Sequence, residues 1–396
     1  MQSTIEGRSI DKAARAVAAV AGSRTFMPVL ELAQVTTLPG SVVISGTNLE
    51  TWIRYRVDTT GTGIYSEAHV NAGALAGAAK GLKGAHGIAT GAGTLTLGAA
   101  CLPDDIESAS EYPLQPSYTI EPGALAGAII ELSGREFKAL IKRHKATTRK
   151  AGQTTRINLT CVNIDYNLAG TGARFVTTDG YALNSEEYGA HLVPDDTRSL
   201  LVPLAPLQRA AAVAGMKDSV KLTALKDGAH DVCKIEITST AGVVTYHTRG
   251  VDEQFPDYRR VIPATVNALA SFTVDSSELA RVVTAAGQVA PDDSGAVTVT
   301  IAPSEFTHNG AGPDILTVKS ESAAGSYRNG VEITPVPGAA FDIALPPVVF
   351  NFKYLAGIAG YTDGTVTVHL AQPLQAARID YGAGRVAVLM PVNLTR

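Results

Sequence analysis

Apolar residues recur along this chain in two rhythms. Ile10, Ala14, Val17 and Ala21 form one set, Phe137, Leu140 and Ile141 a second, and Leu279, Val282, Val283 and Ala286 a third. Each returns every three or four residues, the spacing that gathers side chains on one face of a helix. Each set opens on the same local pattern, an apolar residue, a capping position and a second apolar residue five places on. It reads Ile5-Glu6-Gly7-Arg8-Ser9-Ile10, then Leu132-Ser133-Gly134-Arg135-Glu136-Phe137, then Val274-Asp275-Ser276-Ser277-Glu278-Leu279. Ser133 with Glu136 and Asp275 with Glu278 predict capping boxes, with the apolar pair as a staple; the first copy keeps the staple without the box. A second helix is predicted in each third, over 71–83, over 203–215 with Pro203 and Pro206 near its start, and over 349–360. Between the helices, runs such as Ser41–Ile44, Arg156–Leu159, Val297–Ile301 and Thr365–Val368 read as strands broken by Gly, Pro, Asn and Asp turns. An internal repeat of this kind predicts three α+β domains of about 130 residues. They span 1–125, 126–264 and 265–396, each with two helices packed on antiparallel sheets. Glu121-Pro122-Gly123 and Ile262-Pro263-Ala264 serve as the connectors.

Charge adds a feature that the apolar pattern does not contain. Lys and Arg number 33 against 37 Asp and Glu, a net charge of −4, so the chain as a whole is no polycation. Yet Arg135 to Lys150 holds a run of Lys and Arg with Glu136 as its one acid. Arg135, Lys138, Lys142, Lys145 and Arg149 are spaced three and four apart, which predicts one helical stripe clear of the apolar face. Lys12 and Arg15, Lys80 and Lys83, Arg209, Arg281 and Lys353 put at least one cation on a predicted helix of every third. A charge run taken alone is a solvated face. Its register and its recurrence favour contact with phosphates, sequence-independent and salt-sensitive, hence non-specific duplex binding.

Catalytic chemistry is not legible. Cys101, Cys161 and Cys233 are far apart and odd in number, which fits a reducing cytoplasm rather than a disulfide framework or a zinc knuckle. The 8 histidines show no metal-ligand spacing, and Gly91-Ala92-Gly93 and Gly170-Thr171-Gly172 lack the third glycine of a dinucleotide loop. No enzyme activity, metal or cofactor is therefore predicted. The first apolar run is interrupted by Arg15, unlike a secretory leader, and Val336–Phe352 contains Pro337, Pro346, Pro347 and Asp342, unlike a bilayer span.

Several segments carry a resemblance to a known family. Gln254-Phe255-Pro256-Asp257-Tyr258-Arg259-Arg260-Val261-Ile262-Pro263 is the most specific, with Phe175-Val176-Thr177-Thr178-Asp179-Gly180-Tyr181-Ala182-Leu183 and Val388-Leu389-Met390-Pro391-Val392 beside it. Arg24-Thr25-Phe26-Met27-Pro28-Val29-Leu30 and Ile44-Ser45-Gly46-Thr47-Asn48-Leu49-Glu50 extend it toward the start of the chain. Together they resemble the bacterial sliding clamp, the beta subunit of DNA polymerase III.

The resemblance implies a head-to-tail homodimeric ring of six domains with helices lining the hole. The DNA-facing cations would be Lys12, Arg15, Arg24, Lys80, Lys83, Arg135, Lys138, Lys142, Lys145, Arg149, Arg209, Arg281 and Lys353. It also implies a cleft between domains two and three that takes Gln-x-x-Leu-Phe-type peptides of polymerase, clamp loader and repair proteins. Its residues would be Leu159, Thr178, Gly180, Tyr181, Leu183, Pro256, Arg260, Val261, Tyr354, Leu374, Ala376, Val388, Met390 and Val392. Leu75, Leu82 and Leu97 on one side, with Val283 and Val289 on the other, would contribute to the dimer contact. Tyr181-Ala182 depart from the family's His-Arg pair and remove a cation beside the cleft. Two alternatives stand beside this reading. One is a divergent or phage-encoded clamp with restricted partners; the other is a β-rich assembly protein that does not bind DNA.

Overall fold

The computed structural model describes residues 3–22, 26–61, 63–113, 129–168, 172–190, 199–227, 230–291, 294–302, 314–362 and 364–393. Arg24 and the Glu121-Pro122-Gly123 connector lie outside the described residues. The helices are α1 (Gly7–Ala18), α2 (Ala72–Ala79), the short α3 (Ile106–Ala109), α4 (Gly134–Ala146), α5 (Leu204–Val213), α6 (Ser276–Ala286) and α7 (Phe352–Ala359). All six predicted helices therefore form, the second of each pair shorter than its apolar pattern indicated.

The helix starts follow their local chemistry. Ser133 and Glu136 make the full capping box: the Glu136 N–H donates to Ser133 Oγ at 3.3 Å, and the Glu136 carboxylate accepts the Ser133 N–H at 2.8 Å. At α6 only half the predicted box forms. Asp275 accepts the Glu278 N–H at 2.9 Å, while the Glu278 carboxylate takes Arg281 at 2.7 Å instead. At α1, where no box is predicted, Glu6 caps directly by accepting the Ser9 N–H at 2.8 Å. Gly134 opens α4 because a Cβ there would lie 1.8 Å from the Gly215 carbonyl oxygen.

The described residues fall into two compact units. The first comprises Met1–Ile141, Tyr166–Gly172 and Gly189–Asp252; the second comprises Lys142–Asp165, Ala173–Tyr188 and Glu253–Arg396. In the first unit, Thr51–Thr60 pairs antiparallel with Gly242–Arg249, register Tyr55 opposite Val244, which continues the sheet of the first repeat into that of the second. The strand Thr51–Thr60 shows why: Tyr55 and Val57 are buried while Arg54, Arg56 and Asp58 between them are exposed, the period of a half-buried strand. α1 and α2 pack on this sheet, with Ile10, Val17 and Leu75 in the core.

The second unit is built the same way. Ala182–Gly189 pairs antiparallel with Val386–Leu389, register Leu183 opposite Val388, joining a strand of the second repeat to one of the third. Phe272, Leu279, Val283, Phe350, Leu355 and Val366 belong to one core that holds α6 and α7 to the sheet. One predicted strand moves: Ile157–Thr160 is a single 3-10 turn, and the strand starts after it, at Cys161–Leu168.

Candidate functional site

The second unit carries an apolar cleft at the junction of its two paired strands. Leu183 and Val388, opposite each other in the ladder, are buried in one cluster with Val176 and Tyr258, against which Phe255, Ile262, Ala376 and Val386 pack. Of the predicted cleft residues, four apolar side chains are exposed: Tyr181 is 58% exposed, Val261 45%, Leu374 61% and Met390 39%.

The turn Thr178–Ala182 forms one wall. Gly180 has φ +94°, a conformation that glycine adopts without steric cost. The Asp179 carboxylate accepts the Tyr181 and Ala182 N–H groups, both at 2.9 Å, and Thr178 Oγ1 donates to the Ala182 carbonyl at 2.8 Å. The Tyr354 hydroxyl from α7 donates to the other Asp179 oxygen. Burial, with this carboxylate beside it, pushes the Tyr354 phenol up. The Tyr181 carbonyl accepts the Met390 N–H at 2.9 Å, which brings the C-terminal strand to the same wall.

The predicted cleft residues divide into three positions. Leu159, Leu183 and Val388 are buried; Thr178, Tyr354, Ala376 and Val392 are half-buried; Gly180, Tyr181, Pro256, Arg260, Val261, Leu374 and Met390 are exposed. Arg260, Val261 and Ala376 line a depression together with Pro263, His369 and Arg378. The Val392 N–H donates to the Val349 carbonyl at 2.8 Å, and Leu374 sits on the turn Gln372–Gln375. Sequence reasoning passed over Phe255 and Tyr258, which pack under the cleft from within the Phe-Pro-Asp-Tyr segment itself. The Tyr258 hydroxyl and Arg259 both donate to Asp165, each at 2.6 Å, and hold that segment down.

The basic stripe is real over α4 but shorter than predicted. Arg135, Lys142 and Lys145 are exposed and Lys138 half-buried. Arg149 is corrected: α4 ends at Ala146, and Arg149 lies beyond it, its Nε donating to the Asp179 carbonyl at 2.8 Å. Arg143, within the same charge run, points inward and grips Glu186 with two bonds of 2.6 Å. Burial would push the Glu186 carboxyl up, and Arg143 outweighs it, so Glu186 is held below the usual carboxylate range. His144 is fully buried, which lowers its pKa to about 4 and keeps it neutral, with Nδ1 2.8 Å from Thr177 Oγ1.

The other predicted helical cations differ in their surroundings, and Lys80 and Lys83 are corrected: α2 ends at Ala79 and both lie beyond it. Lys80, Lys83, Arg281 and Lys353 are exposed, and Arg209 is half-buried. Arg15 pairs with Asp11 at 2.8 Å, Arg281 with Glu278 at 2.7 Å, and Lys12 lies 3.9 Å from Asp218. Among the predicted dimer-contact residues, Leu75, Leu97 and Val283 are core side chains, at most 1% exposed, and offer no surface to a second chain. Leu82 and Val289 are half-buried. Among the described residues no cluster of three His, Cys, Asp or Glu side chains could hold a metal, and no helix is long and apolar enough to cross a membrane.

Repeated pairs of helices on antiparallel sheets that run on from repeat to repeat define a clamp architecture. It is the fold of the DNA polymerase III beta sliding clamp, shared with solved structures over the whole chain. A sliding clamp from Pseudomonas aeruginosa bound to griselimycin is 20% identical with a TM-score of 0.79, covering 100% of both chains. The DNA polymerase sliding clamp from Bacillus subtilis is 18% identical with a TM-score of 0.79, covering 99% of each. The DNA polymerase III beta subunit from Thermotoga maritima is 17% identical with a TM-score of 0.76, covering 100% of each. No protein-family model matches the sequence, and no curated protein matches it.

Proposed function

We propose that this chain is a DNA sliding clamp, a non-catalytic cytoplasmic, nucleoid-associated protein that closes around duplex DNA as a head-to-tail homodimer of three-domain chains (1–125, 126–264, 265–396). In this role it tethers the replicative polymerase, clamp loader and repair proteins. The observation that carries the proposal is the full-length likeness of its fold to DNA polymerase sliding clamps, with TM-scores of 0.76 to 0.79. Two features of the chain itself support it. Lys138, Lys142 and Lys145 lie along α4 with no ion-pair partner among the described residues, as phosphate contacts require. The second unit leaves Tyr181, Val261, Leu374 and Met390 exposed over an apolar floor, the arrangement by which short peptides with hydrophobic anchors are held. Leu82 and Val289 remain the proposed contributors to the ring contact.

The test is fluorescence anisotropy of a labelled Gln-Leu-Ser-Leu-Phe peptide titrated with the full-length protein. Saturable binding is expected. Leu374→Ser with Met390→Ser, both at exposed positions, should weaken it at least about tenfold, since each loses a buried apolar anchor in the complex. An unchanged titration in that double variant would place the peptide elsewhere and defeat the cleft assignment.

A further inference from the structure

The sequence loses a cation beside the cleft, because Ala182 stands where the resembled pattern has arginine. Ala182 is buried against the larger core of the second unit, so its position could not project a charge without moving. A guanidinium reaches the same turn from a different part of the chain. Arg149, past the end of α4, has its backbone N–H on the Leu159 carbonyl at 2.9 Å and its Nε on the Asp179 carbonyl at 2.8 Å. Its guanidinium carbon lies 5.7 Å from the centre of the Tyr181 ring, and that ring lies 6.5 Å from the ring of Tyr354. The residue is thus held at its backbone N–H, and its guanidinium group by both the Nε hydrogen bond and a cation–π contact.

This cation makes no salt bridge among the described residues. The Asp179 carboxylate is occupied on one oxygen by the Tyr181 and Ala182 N–H groups and on the other by the Tyr354 hydroxyl. Three other arginines of the second unit each have a carboxylate: Arg259 has Asp165 at 2.6 Å, Arg260 has Asp257 at 2.9 Å and Arg378 has Asp380 at 3.0 Å. Arg149 has no ion-pair partner among the described residues, and it is half-buried. A guanidinium held by Nε keeps its terminal nitrogens in a fixed fork, which matches the two oxygens of a carboxylate.

We propose that Arg149 is a specificity-determining residue of the cleft, selecting docked peptides that carry an acidic side chain next to their apolar anchors. The inference rests on the docking reading above and adds to it the charge of the partner. Arg149 takes over, from the segment after α4, the electrostatic part that position 182 cannot play.

The test uses full-length protein and labelled, C-terminally amidated peptides of the form Gln-x-x-Leu-Phe. Asp or its isostere Asn is placed at each variable position in turn, and in the residue preceding Gln. At one of these positions the Asp peptide should bind about tenfold tighter than the Asn peptide at low salt, with the preference shrinking as salt is raised. In Arg149→Gln the two affinities should converge, while an unchanged circular dichroism spectrum shows that the chain is still folded. Arg149→Glu should invert the preference. Equal binding of Asp and Asn peptides at every position, or a preference that survives Arg149→Gln, would overturn the assignment and leave docking intact. If no peptide of the set binds, the docking reading itself fails and this proposal falls with it.

Discussion

His144 sits at the inner side of α4 with no exposed surface, 3.8 Å from Glu186 and hydrogen-bonded through Nδ1 to Thr177. Burial holds its pKa at about 4, against 6.5 for the free side chain, with Glu186 opposing the shift and Arg143 adding to it. The sign follows from proton uptake. Between pH 6.5 and 4 the unfolded chain takes up a proton that the folded chain refuses, so the stabilisation from a neutral His144 is complete above 6.5 and is lost as pH falls. Over the whole window the effect is on the order of 3 kcal/mol, and about 2 kcal/mol of it falls between about pH 7 and about pH 5. His144→Asn, which keeps an atom able to meet Thr177, should therefore give a shallower loss of urea-denaturation stability over that interval than the wild type. Parallel stability curves for the two proteins would show that this histidine is not the titrating group. The same residues mark where reading the sequence stops. Lys, Arg and His in one run look alike on paper, and only the position of Glu186 on a strand 43 residues away turns Arg143 inward. Spacing alone puts Arg149 on the stripe, and the end of α4 at Ala146 takes it off.

At the scale of elements, the starts of the helices were the most legible feature, because capping is local chemistry between residues three apart. Ser133→Ala removes the acceptor for the Glu136 N–H and frees the Glu136 carboxylate from its 2.6 Å bond to the serine hydroxyl. The cost should be about 1 kcal/mol, read as a lower urea midpoint with an unchanged slope. Since the Glu136 carboxyl is held below its ordinary range chiefly by the Ser133 hydroxyl, its titration should also rise toward normal in this variant. An unmoved midpoint would mean that the tertiary packing of Phe137 and Leu140 fixes α4 without the cap. Ends and partners were less legible than starts. The second helix of each pair was predicted too long because its alanine- and glycine-rich flanks fit a helix as well as they fit a turn, as at Lys80, where α2 has already stopped. The strand pair that builds the cleft joins residues about 200 positions apart, and no local pattern specifies the register that sets Leu183 opposite Val388. The cleft residues could be named from the family resemblance. Apolar periodicity alone would have left Leu183 and Val388 as ordinary core.

At the scale of the whole molecule, a sliding clamp of net charge −4, as proposed above, would hold DNA through a few placed cations rather than through its overall field. The cations on its helices are not equivalent. Arg15 and Arg281 are paired with carboxylates on their own helices, and Lys12 lies near Asp218, so phosphate contact there would have to compete with an existing partner. Lys138, Lys142 and Lys145 have no such partner among the described residues and lie along one line of α4. Each phosphate they neutralise releases counterion from the duplex, which contributes about 0.9 to the slope of log affinity against log salt. Changing these three lysines to glutamine should therefore lower that slope by up to about 3 in duplex-binding titrations, with the same loss on any DNA sequence. Arg281→Gln should change it by well under about 1, because the Glu278 pair already spends that charge. A ring needs only this weak, sequence-blind attraction, since linkage to the duplex supplies retention and tighter contacts would hinder sliding. The triple variant should accordingly lose equilibrium binding to short linear duplexes while keeping its circular dichroism and its affinity for the Gln-Leu-Ser-Leu-Phe peptide. An unchanged salt slope in a folded, peptide-binding triple variant would remove α4 from the DNA-facing surface and leave the peptide cleft as an independent property.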